Sequence, residues 1–480
     1  MTERFRLASG GTAIDRARPL SFSFDGKRMT GVAGDTLASA LLANGVRLVG
    51  RSFKYHRPRG VFTAGPEEPN ALVGLRRGER HEPNTRATMV ELYDGLEAES
   101  QNRWPSLRFD FLGINDRLSP ILPAGFYYKT FMWPPKAWMT YEHYIRRAAG
   151  LGTAPTGVDP DRYDHRSAHC DVLVVGGGPA GLMAALAAAR AGARVILCDE
   201  RAELGGSLLR ESRLIGEETG AVWARQIAKE LGTLSNLRVL TRTTAFGLFD
   251  HGMACLVERV SDHLAVPPEH MPRQRRWNVR ARQIVLAAGA IERPLVFPGN
   301  DRPGVMLASA ARAYIHQYGA RPGGRAVVFA NNDAGYRTAA DLAAAGVSVA
   351  AVVDSRIADA STGTSQLAGI PVLSGHAVVS TYGRFGLSAL EVAPLGEGSA
   401  VRRIECDLLA VSGGLSPTVH LHSHAGGKLA WDDARLCFVP STGRAGVRSV
   451  GAAGGSFGLG ACLAEGARAG AEAAAAAGFA

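Results

Sequence analysis

The chain has 480 residues, 46% of them hydrophobic, with 54 Lys and Arg against 44 Asp and Glu for a formal charge of +10. This composition suits a globular protein of several domains. No charge-free apolar run approaches the roughly 20 residues that cross a bilayer, and MTERFRLASGG lacks the apolar core of a signal peptide, so the expectation is a cytoplasmic protein with no membrane contact. The arginines are dispersed, with no basic stripe or nucleic-acid motif, so no nucleic acid partner is expected; the charge is either solvated surface or an attraction for anionic nucleotides or an acidic partner subunit.

Phe22 to Met29 predicts a hairpin turning at Asp25-Gly26. A helix follows, capped by Asp35 or Thr36 and running through Leu37, Leu41 and Leu42 to Asn44-Gly45. Hairpin then helix predicts a small β-grasp domain over residues 1–100. Arg51, Lys54, His56, Arg57 and Arg59 form a dense basic segment. It is expected to be a solvated or subunit-facing loop, with a phosphate grip as the alternative, and Pro58-Arg59-Gly60 predicts a turn. Residues 101–165 are rich in aromatics and proline, too apolar for a free linker. They predict an arm that wraps another domain or subunit, with Lys136 to Ala149 helical and a linker near 151–167.

The most informative stretch runs from Cys170 to Gly206. Val172 to Val175 is a short apolar run suited to a buried parallel strand. Gly176, Gly178 and Gly181 then give G-x-G-x-x-G: one glycine for the tight turn, one for close approach of a pyrophosphate, one for close helix packing. The helix Ala180 to Ala191 ends at Gly192. A second strand, Arg194 to Cys198, delivers Asp199 and Glu200 about 20 residues past the glycines, where a carboxylate binds a ribose 2′-hydroxyl. The phosphates would sit on the helix N-terminus. The acids favour NAD or FAD over NADP. The candidate cofactor-binding residues are Gly176, Gly178, Pro179, Ala180, Gly181, Asp199, Glu200, Arg201, Gly206, Ser207, Ala288, Gly289, Gly454 and Gly455.

Leu237 to Arg282 predicts a β-meander with a basic loop at Arg273 to Arg276. Ile284 to Pro294 predicts a buried strand entering a glycine turn. Arg325 to Asp354 repeats strand, turn, small-residue helix, strand and acid, but the glycine positions are Ala330, Asn332 and Gly335. Ala330 and Asn332 crowd the path of a pyrophosphate. Asp333 can cap the helix yet would repel a phosphate there. The expectation is a retained fold with a weak or lost dinucleotide site. His420, His422 and His424 would share a face on a strand, but no carboxylate or thiolate is set beside them and Ser-Pro precedes them, so no metal site is assigned. The six cysteines are scattered with no C-x-x-C, which excludes a zinc ribbon or a reductase dithiol. No nucleophile-base pair stands out, so catalytic residues stay unassigned.

GDTLASALLANG with SFKYHRPRG, then WPPKAWMTYEHYIRRAAGLG, GGGPAGLMAALAAARAG, DERAELGGSLL and VGAAGGSFGLGACLAEG together resemble the N-terminal half of the heterotetrameric sarcosine oxidase α-subunit family, with related opine and N-methyl amino acid dehydrogenases. The resemblance implies an α/β fold: two Rossmann-like dinucleotide-binding domains of the flavoprotein disulfide reductase type, over 166–300 plus 405–480 and over 301–404, after a ferredoxin-like β-grasp domain. Cluster-bearing relatives of that domain need four thiolates, and residues 1–169 contain no cysteine, so no cluster is expected. In this fold the closing Ala-Gly-Asp sets its Asp on the flavin ribityl chain. Here Ala453, Gly454 and Gly455 stand there, which favours NAD at the first site, with FAD as the alternative. The family implies a flavin-bearing β-subunit carrying FAD and FMN, further small subunits, and a small amine substrate oxidised in the partner. Hydride would leave the substrate for a flavin, and water would hydrolyse the resulting imine. The family's α-subunit continues into a folate-linked half beyond the Ala-rich tail, so folate binding is not implied here. Two other functions fit: a self-sufficient FAD-dependent NADH oxidoreductase, and a non-catalytic scaffold holding NAD structurally.

Overall fold

The computed structural model describes residues 3–76, 78–122, 125, 126, 130–150, 152–357, 367, 369–396 and 400–479. Parts of the predicted arm (123, 124, 127–129 and 151) and of the second nucleotide domain (358–366, 368 and 397–399) lie outside the described residues. The chain forms two compact units, one of Met1–Pro160 with Pro294–Gly413, the other of Asp161–Arg293 with Gly414–Ala480.

The chain opens with β1 (Asp15–Phe24) and β2 (Lys27–Ala33), joined by Asp25 and Gly26, both at positive φ as a type I′ turn requires. Helix α1 (Leu37–Ala43) starts at Thr36, whose side chain and that of Ser39 form a reciprocal capping box. Strands β3 (Leu72–Leu75), β4 (Glu82–Arg86) and β5 (Leu96–Ser100) complete a sheet ordered β2-β1-β5-β3-β4, with β1 and β5 parallel. Every residue of α1 is buried. A helix buried on all sides needs cover on all sides, and the same unit supplies it below. The arm carries α2 (Trp138–Ala149), ended by Gly150 in the left-handed region.

The second unit begins with β6 (Tyr163–Val175), α3 (Pro179–Arg190), β7 (Val195–Cys198), α4 (Gly220–Thr233) and β8 (Leu237–Leu240), followed by β9 (Thr243–Phe249), β10 (Met253–Arg259), β11 (Gln274–Leu286) and β12 (Ala290–Glu292). Its sheet runs β8-β7-β6-β11-β10-β9. β8, β7, β6 and β11 are parallel, and β10 and β9 turn back antiparallel as the predicted meander. The predicted basic loop is instead the start of β11. Arg273 pairs with Asp161 and Asp262, and Arg275 with Asp164 and Glu258, so acids on adjacent segments absorb the charge.

The first unit resumes with β13 (Val305–Leu307), α5 (Ala308–His316), β14 (Arg325–Ala330), α6 (Ala334–Ala344), β15 (Ser348–Asp354), β16 (Val372–Ser374), the antiparallel β17 (His376–Tyr382), β18 (Ala389–Pro394) and β19 (Arg402–Glu405), then β20 (Leu408–Ser412). Its parallel sheet is ordered β13-β20-β14-β15-β16. This sheet and the β-grasp share one core, in which Leu37, Leu41 and Phe22 join Met306, Tyr314 and Val328. Tyr314 Oη donates to Thr63 O at 2.7 Å, Leu307 N to Phe62 O at 2.9 Å, and Arg47 pairs with Asp407 at 2.8 Å.

The second unit closes with β21 (Leu415–Pro417), α7 (His420–His424), the hairpin β22 (Leu429–Asp432) and β23 (Cys437–Pro440), β24 (Val447–Ser449) on β11, and α8 (Leu459–Ala476). Helix α8 crosses α3 closely because of two glycines. A Cβ on Gly466 or Gly470 would lie 2.1 Å from the carbonyl oxygen of Ala180 or Ala184.

Candidate functional site

The glycine turn sits at the carboxyl end of β6, whose Val172, Leu173 and Val174 are fully buried. The three glycines have distinct roles. Gly176 has φ of +102°, and a Cβ there would stand 2.4 Å from Ala287 O. A Cβ on Gly181 would stand 1.8 Å from Gly176 O, so helix and turn meet only because Gly181 lacks a side chain. Gly178 differs: the nearest atom to its missing Cβ is Gly206 Cα, 3.9 Å away. Its hydrogen atom faces space that the turn keeps open. Gly178 is also the N-cap of α3, with Pro179 next and no side-chain cap. The first-turn N–H groups of Ala180 and Gly181, with the positive end of the helix dipole, serve that opening.

A second glycine pair lies against the turn. Gly205 N donates to Gly177 O at 2.8 Å, and a Cβ on Gly206 would be 2.9 Å from Gly178 Cα. Ser207 beside it is exposed. Neither Gly177 nor Gly205 was singled out by the motif spacing, since both act through main-chain contacts.

Asp199 follows β7, and its carboxylate grips the turn itself. Oδ2 accepts from Gly177 N at 2.6 Å, and Oδ1 accepts from Arg201 N at 2.8 Å. Burial pushes this carboxyl above the usual range. Glu200 and Arg201 are half-buried, and their carbonyls accept from Arg259 Nη2 and Arg242 N. The first acid thus shapes the turn and the second flanks it.

Ala288 and Gly289 follow β11. Gly289 has φ of +76° with open space where a Cβ would be, and its carbonyl accepts from Thr418 N. Gly454 ends a short 3₁₀ turn, and Gly455 takes φ of +93°. A Cβ at Gly455 would meet Val439 Cγ1 at 2.8 Å. The position is therefore not an aspartate site with its acid trimmed off, because β23 fills the direction a side chain would take. Glu465 supplies a carboxylate nearby but spends it internally, accepting from Gly451 N at 3.0 Å and Ser456 Oγ at 2.5 Å.

The second βαβ turn, in the other unit, is built on the same plan and filled by its own side chains. Asn332 Oδ1 accepts from Ala334 N at 3.0 Å, and its Nδ2 donates to Ser412 O at 3.1 Å. Arg356 bridges Asp333 at 2.9 Å and the buried Asp354 at 2.8 Å. Tyr336 Oη donates to Asp354 Oδ2 at 2.8 Å, and burial with that bond pushes its hydroxyl up to about 12.

The remaining candidates have structural roles. The predicted strand of histidines is the short helix α7. His422 lies buried against Lys428 O, and His424 Nδ1 meets Leu248 O at 2.8 Å. Among the described residues no group of three or more His, Cys, Asp or Glu side chains is placed to hold a metal. All six thiols are free, and burial with neighbouring Asp171 pushes Cys170 up to about 12. The basic segment clasps the arm. Arg51 donates to Leu107 O, His56 Nδ1 lies 2.7 Å from Asp110, and Arg57 pairs with Asp116 at 2.5 Å. Pro58 and Arg59 pair with Gly50 and Arg51 as a ribbon rather than forming the predicted turn. The arm's own apolar side chains, Trp104, Phe111 and Trp133 among them, are exposed. Among the described residues no helix is long and apolar enough to cross a membrane.

Comparison with known proteins agrees with this geometry. A family profile described as "Pyridine nucleotide-disulphide oxidoreductase" matches residues 170–476. One described as "2Fe-2S iron-sulfur cluster binding domain" matches residues 17–103. That second stretch holds no cysteine, so the thiolates of such a cluster are missing and the donor set does not fit one. The chain is 53% identical over 464 residues to sarcosine oxidase subunit alpha of Rhizobium meliloti (strain 1021), covering 96% of this chain and 46% of that one. It is 41% identical to the same subunit of Corynebacterium sp. (strain P-1), covering 98% and 45%. The chain thus spans about half the length of these relatives, and the resemblance seen in the sequence motifs is real. In fold it is similar to the crystal structure of L-proline dehydrogenase from P. horikoshii, with a TM-score of 0.67 at 20% identity, covering 98% of this chain and 75% of that one.

Proposed function

The chain belongs to the pyridine nucleotide-disulphide oxidoreductase family, and on that premise we propose that it is the dinucleotide-binding part of the α-subunit of a sarcosine oxidase-like flavoenzyme. The complex would oxidise a secondary amine such as sarcosine, with the flavin on a partner β-subunit. The observation that carries this reading is the open face of Gly178 beside the uncapped start of α3, with Asp199 fixing the turn.

NAD is the favoured occupant. Gly178 and Gly206 admit the pyrophosphate to the main chain, and the N–H groups of Ala180 and Gly181 bind it. Glu200 and Asp199 stand at the ribose end. Val439 behind Gly455 leaves no place for the acid that grips a ribityl chain, which counts against FAD. NAD, when bound, supplies a nicotinamide able to carry hydride.

The test is an absorbance spectrum of the purified chain, then acid release and mass identification of what it holds. Colourless protein releasing NAD is expected. Yellow protein releasing FAD, with NADH oxidation by this chain alone, would establish the self-sufficient oxidoreductase instead. NAD that can be stripped with loss of stability but no loss of activity in the assembled complex would make the chain a scaffold.

A further inference from the structure

The second unit carries a cleft away from the glycine turn. Its volume is about 670 Å³ and it opens at the amino ends of β7 and β24, lined by His169, Arg194, His251, Arg280, Arg282 and Arg444 over an apolar floor that includes Leu248 and Ile284. The glycine turn is at the carboxyl end of β6, six residues beyond Cys170, which also lines this cleft; at 3.3 Å per residue that is roughly 20 Å away. The two sites therefore sit toward opposite ends of the same strands.

The charges around the cleft do not balance. Asp171, nearly fully buried next to the lining residue Cys170, accepts from Arg194 at 2.9 and 3.0 Å and lies 3.6 Å from Arg282. Arg282 also donates to Ala477 O at 3.1 Å. Arg444 pairs with Asp250 at 2.9 Å. Arg280 has only a 3.5 Å contact to His251 O, and no carboxylate partner among the described residues. Four guanidinium groups thus face two carboxylates. Guanidinium forks match carboxylate and phosphate oxygens in geometry, and the volume is that of a small-molecule site.

We infer that this cleft binds a small organic polyanion, bearing two or more carboxylate or phosphate groups, through Arg280, Arg282 and Arg444. The apolar floor takes the ligand's carbon body. Arg194 stays committed to Asp171. The site is independent of the dinucleotide reading, since it shares no residue with the glycine turn.

Titration calorimetry of the full chain with citrate and with inorganic pyrophosphate tests this. One equivalent of at least one probe is expected to bind, citrate alone marking a carboxylate ligand and pyrophosphate alone a phosphate ligand. Arg280→Ala and Arg444→Ala should each weaken binding tenfold or more with little change in melting temperature. Arg276→Ala, an exposed arginine on the same strand outside the cleft, should leave it unchanged. Failure of both probes to bind, or loss equally in Arg276→Ala, would overturn the site. So would binding that survives both cleft variants but is lost in Gly178→Ala, which would place the anion at the glycine turn.

Discussion

The two βαβ turns of this chain share a backbone plan and differ in what occupies the phosphate position. At the first turn, Gly178 faces open space and α3 starts uncapped. At the second, Asn332 accepts from Ala334 N and reaches Ser412, while Arg356 ties Asp333 to Asp354. Each acid at the end of the second strand accepts from the main-chain N–H two residues on, yet the other oxygen of Asp199 meets Gly177 N in the turn, whereas Asp354 also meets a guanidinium and a phenol. The lesson is that sheet and helix packing maintain the fold without the anion site. Val328, Val352 and Ala410 bury the second sheet fully whatever the turn beside them contains.

The largest effect that would sharpen this contrast concerns the third glycine of each turn. Gly181→Ala drives a methyl into a backbone carbonyl that cannot rotate away, at 1.8 Å in the present geometry. We predict a loss of about 3 kcal/mol of stability, at the upper end of overpacking costs. The corresponding Gly335→Ala meets Ala330 Cβ at 2.4 Å, a side chain rather than backbone, and should cost about 1–2 kcal/mol. Ala330→Gly should relieve the second variant. Calorimetric melting of the three proteins checks this; an equal loss in both single variants, or no rescue, would break the comparison.

A smaller effect separates binding from folding. Gly178→Ala places a methyl in space the chain itself leaves empty, so its melting temperature should stay near wild type. Dinucleotide affinity should fall roughly thirtyfold, equivalent to about 2 kcal/mol, because the methyl occupies the path of the pyrophosphate. Asn332→Ala should leave affinity unchanged. Equilibrium dialysis with NAD reads both, and a loss of affinity in Asn332→Ala would show that the second turn is in use after all.

These variants follow from what the sequence made legible. The glycine spacing, the helix bounds and the acid near 199 are local patterns, and periodicity with turn chemistry exposes them. Partners set by tertiary packing were not legible. Nothing in the spacing shows that Asp199 turns toward Gly177, that Val439 lies behind Gly455, or that Arg356 crosses to Asp333. The basic run Arg51 to Arg59 suggested a phosphate grip or a solvent- or subunit-facing loop, because Asp110 and Asp116 lie more than 50 residues downstream. The histidines at 420, 422 and 424 suggested a shared strand face, and the helix that forms sends His422 to Lys428 O and His424 to Leu248 O. The sequence treated the β-grasp as a separate domain, whereas α1, buried on every side, joins the core under the parallel sheet β13-β20-β14-β15-β16 of the same unit.

The smallest effect concerns Asp199 and has opposite signs for stability and for binding. Burial raises its carboxyl above the usual range, so the folded chain holds this proton more tightly than the unfolded chain does. Its contribution to stability is therefore complete below the ordinary aspartate value of about 3.9 and is lost as pH rises through the higher folded value. Asp199→Asn cannot titrate, so the stability of the variant relative to wild type should improve as pH climbs through that window. A ribose hydroxyl donates more strongly to the ionised acid than to the protonated one, so wild-type affinity for NAD should rise with pH over the same interval, and the variant's should stay flat. Chemical denaturation and dialysis at a series of pH values measure the two slopes. A wild-type affinity that stays flat with pH would mean that Asp199 serves the turn alone, and would leave Glu200 as the acid that meets the ribose.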